Sequence, residues 1–148
     1  MIRKLAHLCL VTDQLEPMRE FYTQQLGLSV QFIFHHDDGG TFGYYLSCGD
    51  TTFIEIFDRA GKAKQWGDGG PLRAGNQINH FCFEVTGLKD LHTVLIARGV
   101  KIGDITTGMD GSLQAWTSDP DGNAIEFMDY THASWQLQAP PLKITQVK

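Results

Sequence analysis

Hydrophobic and polar positions alternate along most of this chain, and two stretches of helical spacing interrupt the alternation. Leu5–Thr12 reads as an apolar-rich strand. Asp13–Leu26 reads as a helix, because Leu15, Met18, Phe21, Tyr22 and Leu26 recur at helical intervals. Pro17 stands in its first turn, where a missing N–H is harmless, and Gly27 ends it. Leu28–His35, Thr41–Ser47 and Thr51–Phe57 read as three further strands, separated by turns at Asp37–Gly40 and Gly49–Asp50. Asp58–Gln77 then loses all periodicity and holds five glycines and a proline, so residues 59–77 are expected to form a linking loop. The same order returns afterwards. Ile78–Val85 reads as a strand and Leu88–Arg98 as a helix stopped by Gly99. Val100–Thr106, Leu113–Ser118 and Asn123–Tyr130 read as strands, with turns at Met109–Gly111 and Asp119–Gly122.

The chain is therefore a duplication, each half a strand, a helix and three strands. His7-Leu8-Cys9-Leu10 parallels His80-Phe81-Cys82-Phe83, and Ile54-Glu55-Ile56-Phe57 parallels Ile125-Glu126-Phe127-Met128. The offsets are 73 residues from His7 to His80, 72 from Gly27 to Gly99 and 71 from Glu55 to Glu126. Offsets this constant, in one order, predict two copies of one supersecondary unit. The expected fold class is α+β, with two paired βαβββ modules, 3–58 and 78–130, in a single domain 1–131. A tail, 132–148, follows, and Trp135 and Leu137 offer apolar groups to dock it.

Composition narrows the function classes. The 148 residues carry a net charge of −5, which argues against nucleic acid as the main partner. No apolar run approaches the ~20 residues that cross a bilayer, and no leader pattern follows the N-terminal basic residues, so no membrane is expected. Three cysteines, Cys9, Cys48 and Cys82, form no CxxC pair. An odd number of thiols points to a reducing, cytoplasmic setting. Arg59, Lys62, Lys64 and Arg73 fall in one stretch, read as a solvated loop.

The chemistry lies in the repeat. Glu55 and Glu126 are each flanked by large apolar residues, and His7 and His80 each precede one. Side chains alternate across a strand, so the apolar neighbours face a helix-covered core and the four polar groups face the other way. A lone strand histidine is usually structural and a lone strand glutamate usually solvated. Both repeated at equivalent positions are harder to explain so. Carboxylates gathered on one face repel unless a positive charge compensates them. Two imidazoles and two carboxylates suit one divalent cation per site: Ni²⁺, Co²⁺, Mn²⁺, Fe²⁺ or Zn²⁺. His7, Glu55, His80 and Glu126 are the expected ligands, which leaves two neighbouring positions of an octahedron for a small-molecule substrate. Cys9 and Cys82 read as small lining groups. His35, His36, His92 and His132 have no repeat partner and read as surface or packing residues.

With its strand-borne histidine, its Phe21-Tyr22-x3-Leu26-Gly27-Leu28 segment and its Asp119-Pro120-Asp121-Gly122-Asn123-x-Ile125-Glu126 ending, the chain resembles the glyoxalase/bleomycin-resistance/dioxygenase superfamily, also called vicinal oxygen chelate proteins. The resemblance spans roughly residues 3 to 130. It implies paired modules that curl a mixed sheet into a cup around a metal site, completed across two chains as in glyoxalase I or built within one chain as in other members, and it implies a homodimer. The ligand order His, Glu, His, Glu is most similar to bacterial glyoxalase I, a lactoylglutathione lyase. By that resemblance Glu126, with Glu55 as the alternative, moves the proton. The chain departs from that enzyme four residues after the first ligand His, where Val11 replaces an arginine, and four after the first ligand Glu, where Arg59 replaces an asparagine. Both replaced residues belong to glutathione binding.

Three functions compete. The first is a metal-dependent isomerase or lyase that works through an enediolate on a substrate with vicinal oxygens. The second is an Fe(II) ring-cleaving dioxygenase, which needs two histidines, one carboxylate and three open positions, and which Glu55 would crowd. The third is a non-catalytic antibiotic-binding protein, which needs no ligand set.

Overall fold

Alternation in the first half yields β1 (His7–Thr12), β2 (Ser29–His35), β3 (Thr41–Ser47) and β4 (Phe53–Asp58), with α1 (Leu15–Glu20) between the first two. The computed structural model describes residues 4–67 and 78–137. These strands form one mixed sheet in the order β1-β4-β3-β2, with β1 parallel to β4 and the other pairs antiparallel. Phe42, Tyr44 and Leu46 of β3 and Ile54 and Ile56 of β4 are buried along with Met18, Phe21 and Tyr22. Burying an isoleucine is worth about 1.5–3 kcal/mol, so the apolar neighbours of Glu55 hold its strand in register.

The first helix is shorter than its pattern predicts. After Glu20 it widens into a π-turn over Phe21–Gln25, closed by the Leu26 N–H on the Phe21 carbonyl at 2.9 Å. Gly27, at φ +85°, then reverses the chain. The expected loop 59–77 also differs, because it opens with helix α2 (Arg59–Trp66). The Asp58 carboxylate caps that helix by accepting the Gly61 N–H at 2.6 Å, and Gly67 ends it in the left-handed conformation. Gly61, which reads as a breaker in sequence, is there for space. A Cβ at that position would lie 2.5 Å from the Phe42 side chain, so glycine lets α2 settle on β3. Residues 68–77 of the linker and 138–148 of the tail lie outside the described residues.

The second half repeats the plan. β5 (His80–Glu84), α3 (Leu88–Ala97), β6 (Thr106–Thr107), β7 (Leu113–Ser118) and β8 (Ala124–Asp129) form a mixed sheet in the order β5-β8-β7-β6. Again the first and last strands run parallel. The strand expected at Val100–Thr106 contracts to β6. Ile102 donates its N–H to the Val100 carbonyl two residues back, which spends a group a ladder would need. Of the tail, Trp135 is half-buried and donates its N–H to the Asp110 carbonyl, whereas the Leu137 side chain is exposed.

The chain divides into two units: Met1–Gln77 with Asp119–Gly122, and Ile78–Ser118 with Asn123–Lys148. The Asp119–Gly122 turn joins the first unit through Tyr22, whose buried hydroxyl donates to Asp119 at 2.8 Å. Burial and the Asp119 charge raise the Tyr22 phenol far above its ordinary range, so it stays a donor. No described helix is long and apolar enough to cross a membrane.

Candidate metal centre

Strand register places the four predicted ligands. In the first unit Cys9, Glu55, Tyr45 and Phe32 are consecutive cross-strand partners over β1, β4, β3 and β2. They form one row on the face opposite Ile54 and Ile56. His7, paired with Phe53, is one step along the same face. In the second unit Cys82, Glu126 and Trp116 form the corresponding row, with His80 one step along and paired with Ala124.

Each unit brings one imidazole to one carboxylate. His7 Nε2 lies 3.5 Å from Glu55 Oε2, and His80 Nε2 lies 3.3 Å from Glu126 Oε2. Both carboxylates are the more buried partner, with side-chain exposures of 18% for Glu55 and 6% for Glu126 against 44% and 35% for the histidines. The opposite nitrogen of each ring has its own contact. His80 Nδ1 is 2.9 Å from the Asn79 side-chain oxygen, and His7 Nδ1 is 3.4 Å from the Tyr45 hydroxyl. The Asn79 side-chain oxygen accepts from His80 Nδ1, which leaves Nε2 directed at Glu126, the orientation that metal-binding histidines use.

These pairs fit a cation. Two donors about 2.0–2.2 Å from one ion, at a right angle, stand about 3 Å apart. The observed gaps need to close by only a few tenths of an ångström. The donor set is hard and borderline, nitrogen and oxygen, which suits a divalent first-row ion. Among the described residues no group of three or more His, Cys, Asp or Glu side chains could by itself hold a metal ion. Each unit thus presents half of the predicted set.

The thiols are not part of the halves. Burial, then the negative charge and hydrogen bonding of Glu55, push the Cys9 thiol up to about 11, with Lys62 acting in the opposite direction. Burial and Glu126 push Cys82 up to about 12. Both remain protonated at neutral pH, so neither is a nucleophile. Burial also raises the Tyr130 phenol, helped by Glu84, Cys82, Asp110 and Glu126, which puts Tyr130 in the same electrostatic neighbourhood as Glu126.

Sequence reasoning missed Tyr45, Asn79, Trp116 and Tyr130. A signal existed for two of them, since Tyr45 and Trp116 lie 71 residues apart, the same offset as the glutamates. Each ring stands edge-on to its histidine, at 6.0 Å for His7–Tyr45 and 4.7 Å for His80–Trp116. The other histidines behave as expected. His36 stacks on Phe42, His35 meets Thr41, and His92 Nε2 meets the Gly103 carbonyl.

Over residues 4–127 the chain matches the sequence profile of the Glyoxalase/Bleomycin resistance protein/Dioxygenase superfamily. It belongs to that superfamily. Enzymes and non-catalytic proteins both occur in it, and its members often bind divalent metals. No curated protein matches this superfamily member. Solved structures similar to it share the fold. A glyoxalase/bleomycin resistance protein/dioxygenase from Nocardioides is 18% identical with a TM-score of 0.70, the match covering 95% of this chain and 91% of that one. Lactoylglutathione lyase from Agrobacterium tumefaciens is 20% identical with a TM-score of 0.62, over 85% of this chain and 92% of that one. A glyoxalase family protein from Enterococcus faecalis is 20% identical with a TM-score of 0.65, over 85% and 97%.

Proposed function

We propose that this superfamily member is a metal-dependent isomerase or lyase of the glyoxalase I type, acting through an enediolate on a small molecule with vicinal oxygens. The observation that carries the reading is the repeated imidazole–carboxylate pair, with the far nitrogen of each histidine already engaged. His7, Glu55, His80 and Glu126 would hold one divalent ion. That ion would supply Lewis-acid stabilisation for negative charge on two neighbouring oxygens.

The chain's own part is proton movement. Glu126, with Glu55 as the alternative, takes the proton from the carbon beside the carbonyl and returns it to the adjacent carbon. Glu126 is the more shielded carboxylate of the two. The Cys82 thiol, which donates to the Phe83 carbonyl, stays protonated beside this carboxylate. Both thiols stay neutral. A homodimer and a cytoplasmic setting complete the proposal.

Glutathione does not follow from these residues. Val11 offers no charge, and Arg59 gives its Nε–H to Asp13 at 2.7 Å.

The test is proton exchange. Protein reconstituted separately with Ni²⁺, Co²⁺, Mn²⁺ and Zn²⁺ is incubated in deuterated water with the glutathione hemithioacetals of methylglyoxal and phenylglyoxal, and with simple α-hydroxyketones. Deuterium at the carbon beside the carbonyl, lost in Glu126→Gln, is the expected result. Metal-loaded protein that exchanges none of these, yet consumes oxygen with catechols when given Fe²⁺, would replace this reading with the dioxygenase.

A further inference from the structure

The face of the first unit carries more aromatic surface than a pair of metal ligands needs. Beside Glu55 the Tyr45 ring stacks flat on Phe32, with centroids 4.5 Å apart and an interplanar angle of 11°. Phe53 tilts against the other side of Tyr45 at 4.9 Å. One step along, Phe57 fills the space above Gly43, where a Cβ would lie 2.5 Å from its ring. Phe57 is capped by Trp66 of α2 at 5.2 Å. That step is closed by packing. The Phe32–Tyr45–Phe53 row is not, since Phe32 remains 46% exposed and Tyr45 and Phe53 are only half-buried.

The second unit shows that these rings are not required by the fold. Counted by the repeat offset of 71, Phe53 corresponds to Ala124 and Phe32 to Gly103. Only Tyr45 has an aromatic counterpart, Trp116. The same topology is therefore built without two of the three rings. A half-open stack that the fold does not need, in register with a candidate ligand, is a surface suited to a flat apolar group.

We propose that the Phe32–Tyr45–Phe53 row is the subsite for an aryl group of the substrate, which makes the substrate an aryl-bearing carbonyl compound with two neighbouring oxygens rather than a glutathione adduct. The inference rests on the metal-centre reading for the two oxygens and on the ring row alone for the aryl group. In the same register Glu55 neighbours Tyr45 directly, so an aryl ring resting against the solvent-facing part of the Phe32–Tyr45–Phe53 stack sets its attached oxygens beside the His7–Glu55 pair. Val11, on the next step of this face, continues the apolar surface where a glutathione-binding charge would have stood.

Two chelating probes separate the contributions. Benzohydroxamate and acetohydroxamate both offer two neighbouring oxygens and differ only in phenyl against methyl. Their affinities are measured by calorimetry on Ni²⁺-loaded protein, and their contacts by backbone NMR shifts on metal-free protein. The expected result is about tenfold tighter binding of benzohydroxamate. That ratio should fall to near one in Phe32→Ala and persist in Phe32→Tyr, with metal content unchanged in both. Metal-free protein should still shift its Phe32, Tyr45 and Phe53 signals with the phenyl probe and not with the methyl probe. Equal affinities in the unaltered protein, or a preference that Phe32→Ala leaves intact, overturns the subsite. Phe32→Ala that instead converts a dimer to a monomer, with the ratio unchanged, shows that the row is an interface and overturns it too. Shifts confined to the ring row, with no gain in affinity on adding Ni²⁺, sink the metal centre and leave the aryl subsite standing.

Discussion

The two units carry the same central row and surround it differently. In the first, the row runs Cys9, Glu55, Tyr45, Phe32, and the next step adds Val11, Phe57 and Phe34 around Gly43. In the second, the row runs Cys82, Glu126, Trp116, and the next step is Glu84, Met128, Gln114 and Thr106. What is shared is the imidazole–carboxylate pair, its edge-on ring and its thiol. What differs is the wall, aromatic in one unit and largely polar in the other. The imidazole–carboxylate pair recurs in both units while the wall beside it differs, the pattern expected if the proposed metal asks the same of both units and the substrate does not.

Proton transfer should break the symmetry most sharply. Glu126→Gln keeps an oxygen ligand and removes the base, so turnover should fall about 10²–10⁴-fold with metal still bound. Glu55→Gln should cost turnover far less. If steady-state rates show the reverse, the roles of the two units are exchanged.

The contacts behind the histidines give the next largest difference. Asn79→Ala removes the 2.9 Å partner of His80 and should weaken metal binding about 10–100-fold in a competition titration. Tyr45→Phe removes a longer 3.4 Å contact and should weaken it less. Equal losses would mean that ring orientation is set by packing rather than by these hydrogen bonds.

A smaller effect separates the units in stability. Tyr22 holds the buried Asp119, and the residues at the repeat-related positions, Val94 and Cys48, form no such link. Tyr22→Phe should therefore cost about 1–3 kcal/mol in denaturant unfolding, with the Asp119–Gly122 turn losing its anchor. An unchanged midpoint would show that the turn is held by its other contacts, among them the Gln14 amide that donates to the Pro120 carbonyl and to Asp121.

Much of this was legible in the residues. The repeat offsets specify two like units, and the glutamates flanked by large apolar residues specify which face each presents, because strand alternation is strict where one face is buried. Four features were not legible. Helix α2 starts at a good cap, Asp58, but Gly61 in its first turn reads as a breaker, and only the approach to Phe42 explains that glycine. β6 shortens because a local turn at Val100–Ile102 competes with the ladder. Asn79 carries no periodic signal, since its role depends on a side-chain contact rather than on a face. The aromatic row was hidden for another reason. Phe32, Tyr45 and Phe53 are distant in sequence and become neighbours only through cross-strand register.

We propose that His7, Glu55, His80 and Glu126 are ligands of one cation, within one chain or across a dimer, and elemental analysis tests it most directly. Protein purified, stripped and reloaded with Ni²⁺ is assayed for bound metal alongside His7→Ala and His80→Ala. The account predicts about one equivalent per chain in the unaltered protein and loss of it in each variant, because each removes one ligand of the same ion. Chelation should also lower the melting temperature of the unaltered protein alone. A variant that keeps its full equivalent while the other loses it, or metal retained by both, would contradict a centre built from the two pairs.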